Sequence, residues 1–420
     1  MAEGDWHPAA RVGFRFGVTY FLLFGLVFTQ ILFVFTGSVT GFLSEESVLW
    51  QVPWLTAVPR WAGGVVGVDV TLRMSESGDQ AYIWVLVCCL LVAALGLTLA
   101  WTLLDRRTEY RRLGAWFVAV ARICLGGQLL WYGIAKLVPN QMPYPPLTTF
   151  LEPFGTFTRM EVLWNQIGIA PGYQMLLGAA EVLAAMLLLA ARTATLGALL
   201  ALVCLTQVFV LNLSYDVPVK LYSLHLLLLV LAVLAPQARD LANVLVLQRP
   251  TEPAGQPALP VAPRTRRIVT AVLALLAVTT CLRDAWRCWH EWGYGAPKPA
   301  LYGIWDVTEF RVDGQSLPPL VTDETRWQRL IVDISGLTYQ RMDDTLVPVE
   351  ADLAQGWLGL ADAGSFTYER PAPDLLTLHG DLRGRPVTIA LARHDLDDFT
   401  VRRSGLHWVQ ETLPRDRPAA

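Results

Sequence analysis

Apolar residues run almost unbroken through seven stretches of the chain, and past Leu301 that pattern gives way to alternating polar and apolar positions with turn residues between them. A membrane-crossing helix needs about 20 consecutive apolar residues. The stretches that approach this length are Phe14–Phe35, Ala81–Leu104, Ala115–Val138, Tyr173–Ala191, Thr193–Leu213, Val219–Leu234 and Ile268–Leu282. The last two are short, and Arg283 and Asp284 close the seventh. Beyond Leu301, strands are expected at Arg326–Ile334, Ser365–Tyr368, Leu375–Asp381, Pro386–His394 and Phe399–Arg403, with a hairpin turn at Arg383-Gly384-Arg385. The pattern predicts a mainly α protein: a polytopic membrane helical bundle of about seven spans, followed by a C-terminal antiparallel β domain. An antiparallel sheet of this kind needs its edges closed or covered.

Composition supports the membrane reading. The chain is 54% hydrophobic and 16% charged, where a soluble domain carries roughly a quarter charged residues. Its net charge of −3 offers no basic face to nucleic acid. The six cysteines are scattered along apolar sequence without ligand spacing, which suits small buried hydrophobes. No cleavable signal peptide is expected, because the first span is full length and lacks an A-x-A-like site after it.

Basic residues set an orientation. Arg106, Arg107, Arg111 and Arg112 crowd one short loop, and Arg239, Arg249, Arg264, Arg266 and Arg267 another on the same side. The positive-inside rule makes that side cytoplasmic, with the N-terminus inside and the β domain extracytoplasmic. Trp50, Trp54 and Trp61 in the first outer loop suit an interfacial amphipathic segment. The expected organisation is N-terminal spans and outer loop at 1–112, a four-helix bundle at 113–247, a Pro-rich linker at 248–266, a seventh helix at 267–290 and the β domain at 300–413.

Ionisable residues in or beside hydrocarbon are costly unless paired or facing a polar cavity, so they are the candidate chemistry. Asp216 and Lys220 flank Pro218 in the outer turn after the fifth run, with Asn212 before it and His225 after it. Lys136 and Glu181 fall at similar depth in the third and fourth spans. Two readings follow. The charges are buried pairs that fix helix register, or they line an outer-leaflet pocket for a quinone-like or lipid-like molecule, with Lys136, Glu181, Asn212, Asp216, Lys220 and His225 as its binding or proton-exchanging groups. Arg122, Gln128 and Tyr132 would give polar support from the third span. The loop Pro139–Pro171, with Phe150, Phe154, Phe157 and Trp164, would cap the bundle as a lid or as a passive interfacial segment. Templates for common catalysis are missing: there is no G-x-S-x-G, H-E-x-x-H, Walker A, Rossmann or EF-hand pattern. Asp395, Asp397 and Asp398 form an acidic, solvated turn, and no metal site is expected.

The pattern Arg122…Gly126-Gly127…Tyr132-Gly133…Lys136, with Gly178…Glu181 and Arg192-Thr193, resembles the DoxX-like membrane family. With Tyr215–Leu221 and the terminal Gly405-Leu406-His407-Trp408…Glu411, the chain looks like bacterial DoxX-like proteins that carry a C-terminal extracytoplasmic β domain. The resemblance implies a bacterial inner membrane location. It also implies a subunit or accessory of a quinone- or thiol-linked redox system, with a membrane redox partner and a quinone as the possible cofactor. A weaker resemblance links the chain to the membrane part of vitamin K-dependent carboxylase-like proteins.

In the β domain, Gly303-Ile304-Trp305 looks like the Gly-x-Trp opening of lipocalin-type barrels. That resemblance implies that Trp305 plugs the barrel base against Arg402 or Arg403. It leaves open a hollow barrel that handles an apolar ligand and a barrel filled by its own side chains. A structural partner of another membrane complex is a further reading of the whole chain.

Overall fold

The computed structural model describes residues 6–40, 52–73, 75, 77–251, 259–361, 364–403 and 408–409. The chain divides into two compact units, one of residues 1–143 with 158–288 and one of residues 144–157 with 289–420.

The first unit is a helical bundle. Seven described helices are long and apolar enough to cross a membrane. They are α1 (Pro8–Val27), α4 (Ala81–Leu104), α5 (Arg111–Leu137), α7 (Pro171–Leu189), α8 (Ala194–Ser214), α9 (Lys220–Leu234) and α11 (Pro263–Glu291). Shorter helices are α2 (Phe33–Thr40), α3 (Val52–Val66), α6 (Arg159–Gly168) and α10 (Ala238–Leu245). In lipid every backbone polar group needs a partner, which is why long apolar segments fold as helices. α9 continues through a 3₁₀ turn into α10, giving one span over Lys220–Leu245.

Two of the expected spans differ from what the hydropathy pattern predicts. The run Phe14–Phe35 is not one helix: α1 ends at Val27, Phe28 is non-helical, and a 3₁₀ turn over Thr29–Leu32 precedes α2. Gln128 of α5 donates its Nε2 to the Gln30 and Ile31 carbonyls at 3.0 and 3.2 Å, so it satisfies backbone freed by the break. The seventh helix does not close at Arg283 and Asp284 but runs on to Glu291. These two charges pair with each other at 3.4 Å.

α5 and α7 cross at glycines. A Cβ on Gly178 would lie 2.5 Å from the Gly133 carbonyl oxygen and the Leu137 nitrogen, so no other residue fits there without moving backbone. Arg122 of α5 satisfies the far end of α7, where its guanidinium donates to the Leu188 carbonyl at 2.6 and 3.0 Å. That is structural support for a helix end.

The second unit is an antiparallel sheet of ten strands in the order β5-β4-β3-β1-β10-β9-β8-β7-β6, with β2 beside β1. The strands are β1 (Gly303–Val312), β2 (Gln315–Ser316), β3 (Trp327–Asp333), β4 (Gly336–Arg341), β5 (Leu346–Val349), β6 (Ala351–Ala354), β7 (Trp357–Leu360), β8 (Gly364–Ala372), β9 (Leu375–Leu382) and β10 (Arg385–Arg393). Sequence neighbours pair except at β2–β3 and β5–β6, and β1 returns to pair with β10, as in an up-and-down barrel. The sheet ends at β5 and β6, which makes it a near-barrel.

Its interior is a packed core. Trp305, Phe310, Leu330, Leu358 and Ile389 are fully buried, and Trp327 stacks on Tyr339 with centroids 5.0 Å apart. Side chains fill this core, and a separate cavity of about 920 Å³ opens at the unclosed seam between β4–β5 and β6–β8. Trp305 is the plug that the Gly-x-Trp pattern implies, and its Nε1 donates to the Leu301 carbonyl at 2.8 Å. Gly303 before it has φ +146, a conformation side chains disfavour.

The arginine partner is different from the expected one. Arg370 of β8 lies over the Trp305 ring at 5.7 Å, whereas Arg402 lies over Tyr144 and Phe150. The expected strand at Phe399–Arg403 is instead a short helix, α12 (Thr400–Arg403), and the late-strand arginine beside Gly303 is Arg393 of β10, whose Nη2 donates to the Tyr302 carbonyl at 3.4 Å. The Arg403 side chain, Gly405, Leu406, His407 and Glu411 lie outside the described residues, as does Trp50.

Candidate functional site

Lys136 and Glu181 form the electrostatic centre of the bundle. The α5–α7 crossing at Gly133 and Gly178 places the lysine one turn above one glycine and the glutamate three residues beyond the other. Lys136 Nζ reaches both Glu181 carboxylate oxygens at 2.8 Å, and both side chains are more than 90% buried. The Tyr132 ring lies 5.7 Å from Nζ. Two charges taken out of water need such a bidentate contact to offset desolvation.

Beside this pair lies a cavity of about 280 Å³, walled by α5, α7, α8, α9 and α6. Lys136, Glu181, Tyr132, Gln128 and Asn212 face it. Asn212 donates to the Ser223 hydroxyl at 3.0 Å, which in turn donates to the Lys220 carbonyl, so this corner is already satisfied. Two atoms are not. The Tyr222 hydroxyl and Gln141 Oε1 are buried and have no hydrogen-bond partner among the described residues, and both residues line the cavity. An unmet buried polar atom costs about 1–3 kcal/mol, so two on one small cavity need explaining.

The outer wall is set by the loop and by α6. Gln174 accepts from the Met142 nitrogen and donates to its carbonyl, pinning the loop against α7. α6 starts in a capping box: Thr158 and Glu161 exchange side chain-to-backbone bonds, and the Thr158 hydroxyl, with its amide second, donates to the Glu161 carboxylate and holds it below the usual range. Leu163, Ile167, Met142 and Val217 pack together, and Trp164 turns to the cavity. The cap expected from Pro139–Pro171 is thus split. α6 covers the bundle, while Phe150 packs in the β unit with Leu147, whose amide donates to Asp333 at 2.7 Å.

Three of the six candidate residues lie elsewhere. Asp216 is 78% exposed and pairs with Lys220 at 2.7 Å. That bond holds its carboxyl below the ordinary carboxylate range. Lys220 also reaches Asp79 at 3.6 Å. Asp79 accepts from the Lys220 and Leu221 backbone amides at 2.8 and 3.0 Å, capping α9 from a distant loop. The Asp216–Lys220 turn is a helix start held by Asp79; its Val217, Pro218 and Val219 line the cavity, whereas Asp216 and Lys220 do not. His225 faces α1. It accepts or donates at Tyr20 Oη (2.6 Å), bonds the Leu221 carbonyl (2.6 Å) and stacks on Phe24 at 4.2 Å. A carbonyl only accepts, so Nδ1 carries the proton and Nε2 accepts from the tyrosine.

Sequence reasoning missed Gln141, Tyr222, Gln207 and Asp79. Gln207 is the one with a plain signal: an amide inside an apolar run, five residues before Asn212. Tyr222 shares a helical face with Leu226, one residue off the face of His225.

The fold and cavity define a polytopic membrane protein, a seven-span bundle followed by an antiparallel β unit. No family model and no solved structure matches the chain. Over 126 residues, 30% of the chain, it is 30% identical to uncharacterized protein YwoB of Bacillus subtilis (strain 168), and the match covers 80% of that protein. The chain belongs to the same family as YwoB.

Proposed function

We propose that the cavity beside Lys136 and Glu181 holds the head group of a quinone-type lipid, and that the protein is a subunit or accessory of a quinone-linked redox system in the bacterial inner membrane. The observation that carries this reading is the pair of buried, unpartnered oxygens, Tyr222 Oη and Gln141 Oε1, on one cavity. Tyr222 offers a donor to a carbonyl oxygen, and Gln141 Oε1 offers an acceptor to a hydroxyl. A molecule with an oxygen at each end of a ring, carbonyl or hydroxyl by redox state, meets both needs. The volume of about 280 Å³ is near the small end of ligand pockets, enough for a substituted ring whose tail stays in lipid.

When bound, a quinone would supply two-electron, two-proton redox chemistry. The chain's own groups would position it: Tyr222 and Gln141 at its oxygens, Trp164 and Leu163 over its face, and the Lys136–Glu181 pair fixing the local field. The resemblance to DoxX-like proteins supports the redox setting. The thiol-linked version has less support, since Cys281 and Cys124 are buried in the bundle. The same reading places the arginine-rich loops in the cytoplasm and the β unit outside.

The test is lipid extraction from the purified full chain followed by mass spectrometry, with equilibrium binding of a short-chain quinone. Quinone should co-purify, and Tyr222→Phe and Gln141→Leu should each weaken binding about tenfold, the value of one buried hydrogen bond. Protein that carries no quinone and binds none would sink the proposal.

A further inference from the structure

A second cavity, of about 1200 Å³, lies at the opposite end of the bundle from the Lys136–Glu181 cavity, where α1 and α5 begin and α9 ends. Its walls are apolar: Phe14 of α1, Phe117 and Val118 of α5, and Ala232 of α9. Gly13 and Gly17 form part of its lining, and a Cβ added to either would meet no atom within 4 Å. A lengthwise groove is therefore left open along α1, where larger side chains would have filled it.

The mouth of this groove is cationic. Arg111, Arg112 and Arg239 all line it. Arg111 is engaged by Glu109 at 2.7 Å. Arg112 and Arg239 have no acidic partner among the described residues. They come from two helices, the start of α5 and the segment after α9, yet meet at one mouth. Trp6, at the same mouth, packs edge-on against Phe14 with centroids 5.1 Å apart, which suits an aromatic residue at a membrane interface.

We infer that this groove binds an anionic glycerophospholipid, with its phosphate at Arg112 and Arg239 and its acyl chains along the Gly13–Gly17 face. The pairing of charges with apolar length decides the occupant. A transmembrane helix of another protein would fill the apolar groove but would leave the two guanidinium groups unanswered. A soluble anion would answer the charges but leave the groove to random lipid. A phospholipid with a net negative head group satisfies both, and basic pockets between spans are sites of that kind. Arg is suited to the task because its planar fork can bind two phosphate oxygens at once. This inference is independent of the quinone proposal, since the two cavities share no lining residue.

Native mass spectrometry of the full chain in a mild non-ionic detergent tests it, by titration with phosphatidylglycerol and, in parallel, phosphatidylcholine of the same acyl chains. Phosphatidylglycerol should bind more tightly. The double variant Arg112→Ala/Arg239→Ala should lower its affinity about thirtyfold, toward that of phosphatidylcholine. Gly17→Leu, whose side chain enters open space, should weaken both lipids while leaving the charges in place. Equal binding of the two lipids by the native chain would overturn the inference, as would an unchanged phosphatidylglycerol affinity in the Gly17→Leu chain. Should the arginine variant fail to fold, the glycine variant and the lipid comparison still decide.

Discussion

Lys136 and Glu181 are legible in the sequence as charges at matching depth, but their bond is not, because it depends on how closely two helices approach. That approach comes from Gly133 and Gly178, where a Cβ would strike backbone. The bidentate contact at 2.8 Å engages both oxygens of Glu181, while both side chains also line the cavity. The expected outcome of substitution follows. Glu181→Gln alone strands a buried ammonium and should destabilise the bundle by about 3–5 kcal/mol. The double variant Lys136→Met/Glu181→Leu removes both charges and should recover most of that loss. Thermal unfolding of the two variants in detergent measures the difference. If the single and double variants unfold alike, the pair is not a buried unit. His225 teaches the complementary lesson. The sequence marks it as an ionisable group beside the polar turn, but a shift of one residue along α9 turns it 100° away from the cavity, onto Tyr20 and Phe24.

At the scale of elements, hydropathy finds the apolar helices well and their interruptions poorly. α4 begins and ends where its apolar run does, at Ala81 and Leu104. The first run fails because nothing local, neither Pro nor a glycine pair, marks the break at Phe28. The partner that makes the break tolerable is Gln128, about a hundred residues away. The strand expected at Phe399–Arg403 fails for a related reason. Its alternating residues suit a strand, but Asp395 accepts from the Asp397 amide and turns the chain into short helical segments instead. The start of α9 gives a testable case. Val219 and Lys220 supply no capping side chain of their own, and Asp79 does so from the loop before α4. Asp79→Ala should therefore cost about 1–2 kcal/mol and speed amide exchange at Lys220 and Leu221. Asp216→Asn, at an exposed ion pair, should leave stability near neutral pH almost unchanged. The sign of its pH dependence is fixed. The Asp216 carboxyl is depressed in the folded protein, so its small contribution is present above the unfolded value and fades as pH falls through the folded one.

For the whole molecule, the change from long apolar runs to period-two alternation near Leu301 is the most readable feature, and it separates a helical bundle from an antiparallel near-barrel. Whether that barrel would be hollow is not readable, because inward-facing apolar residues line an empty barrel and fill a packed one alike. Only their sizes and meeting points decide, and here Trp305, Phe310 and Phe366 close the space. The proposed orientation, by contrast, rests on the charges of the loops. The loop Asp105–Leu113 and the segment after α9 are rich in arginine, whereas the loops at the other end of the same helices carry few basic residues. If the seven described candidate spans all cross, the proposed topology puts the two chain ends on opposite sides. The arginine-rich side should be cytoplasmic, because basic loops are retained there during insertion. A periplasm-active phosphatase fused after Arg403 should be active, and the same enzyme fused within Arg106–Arg112 inactive. The reverse pattern would invert the proposed topology. It would also place the Lys136–Glu181 cavity, at the end of α5 away from Arg111, in the cytoplasmic leaflet, so that any exchange of protons there would draw on the cytoplasm.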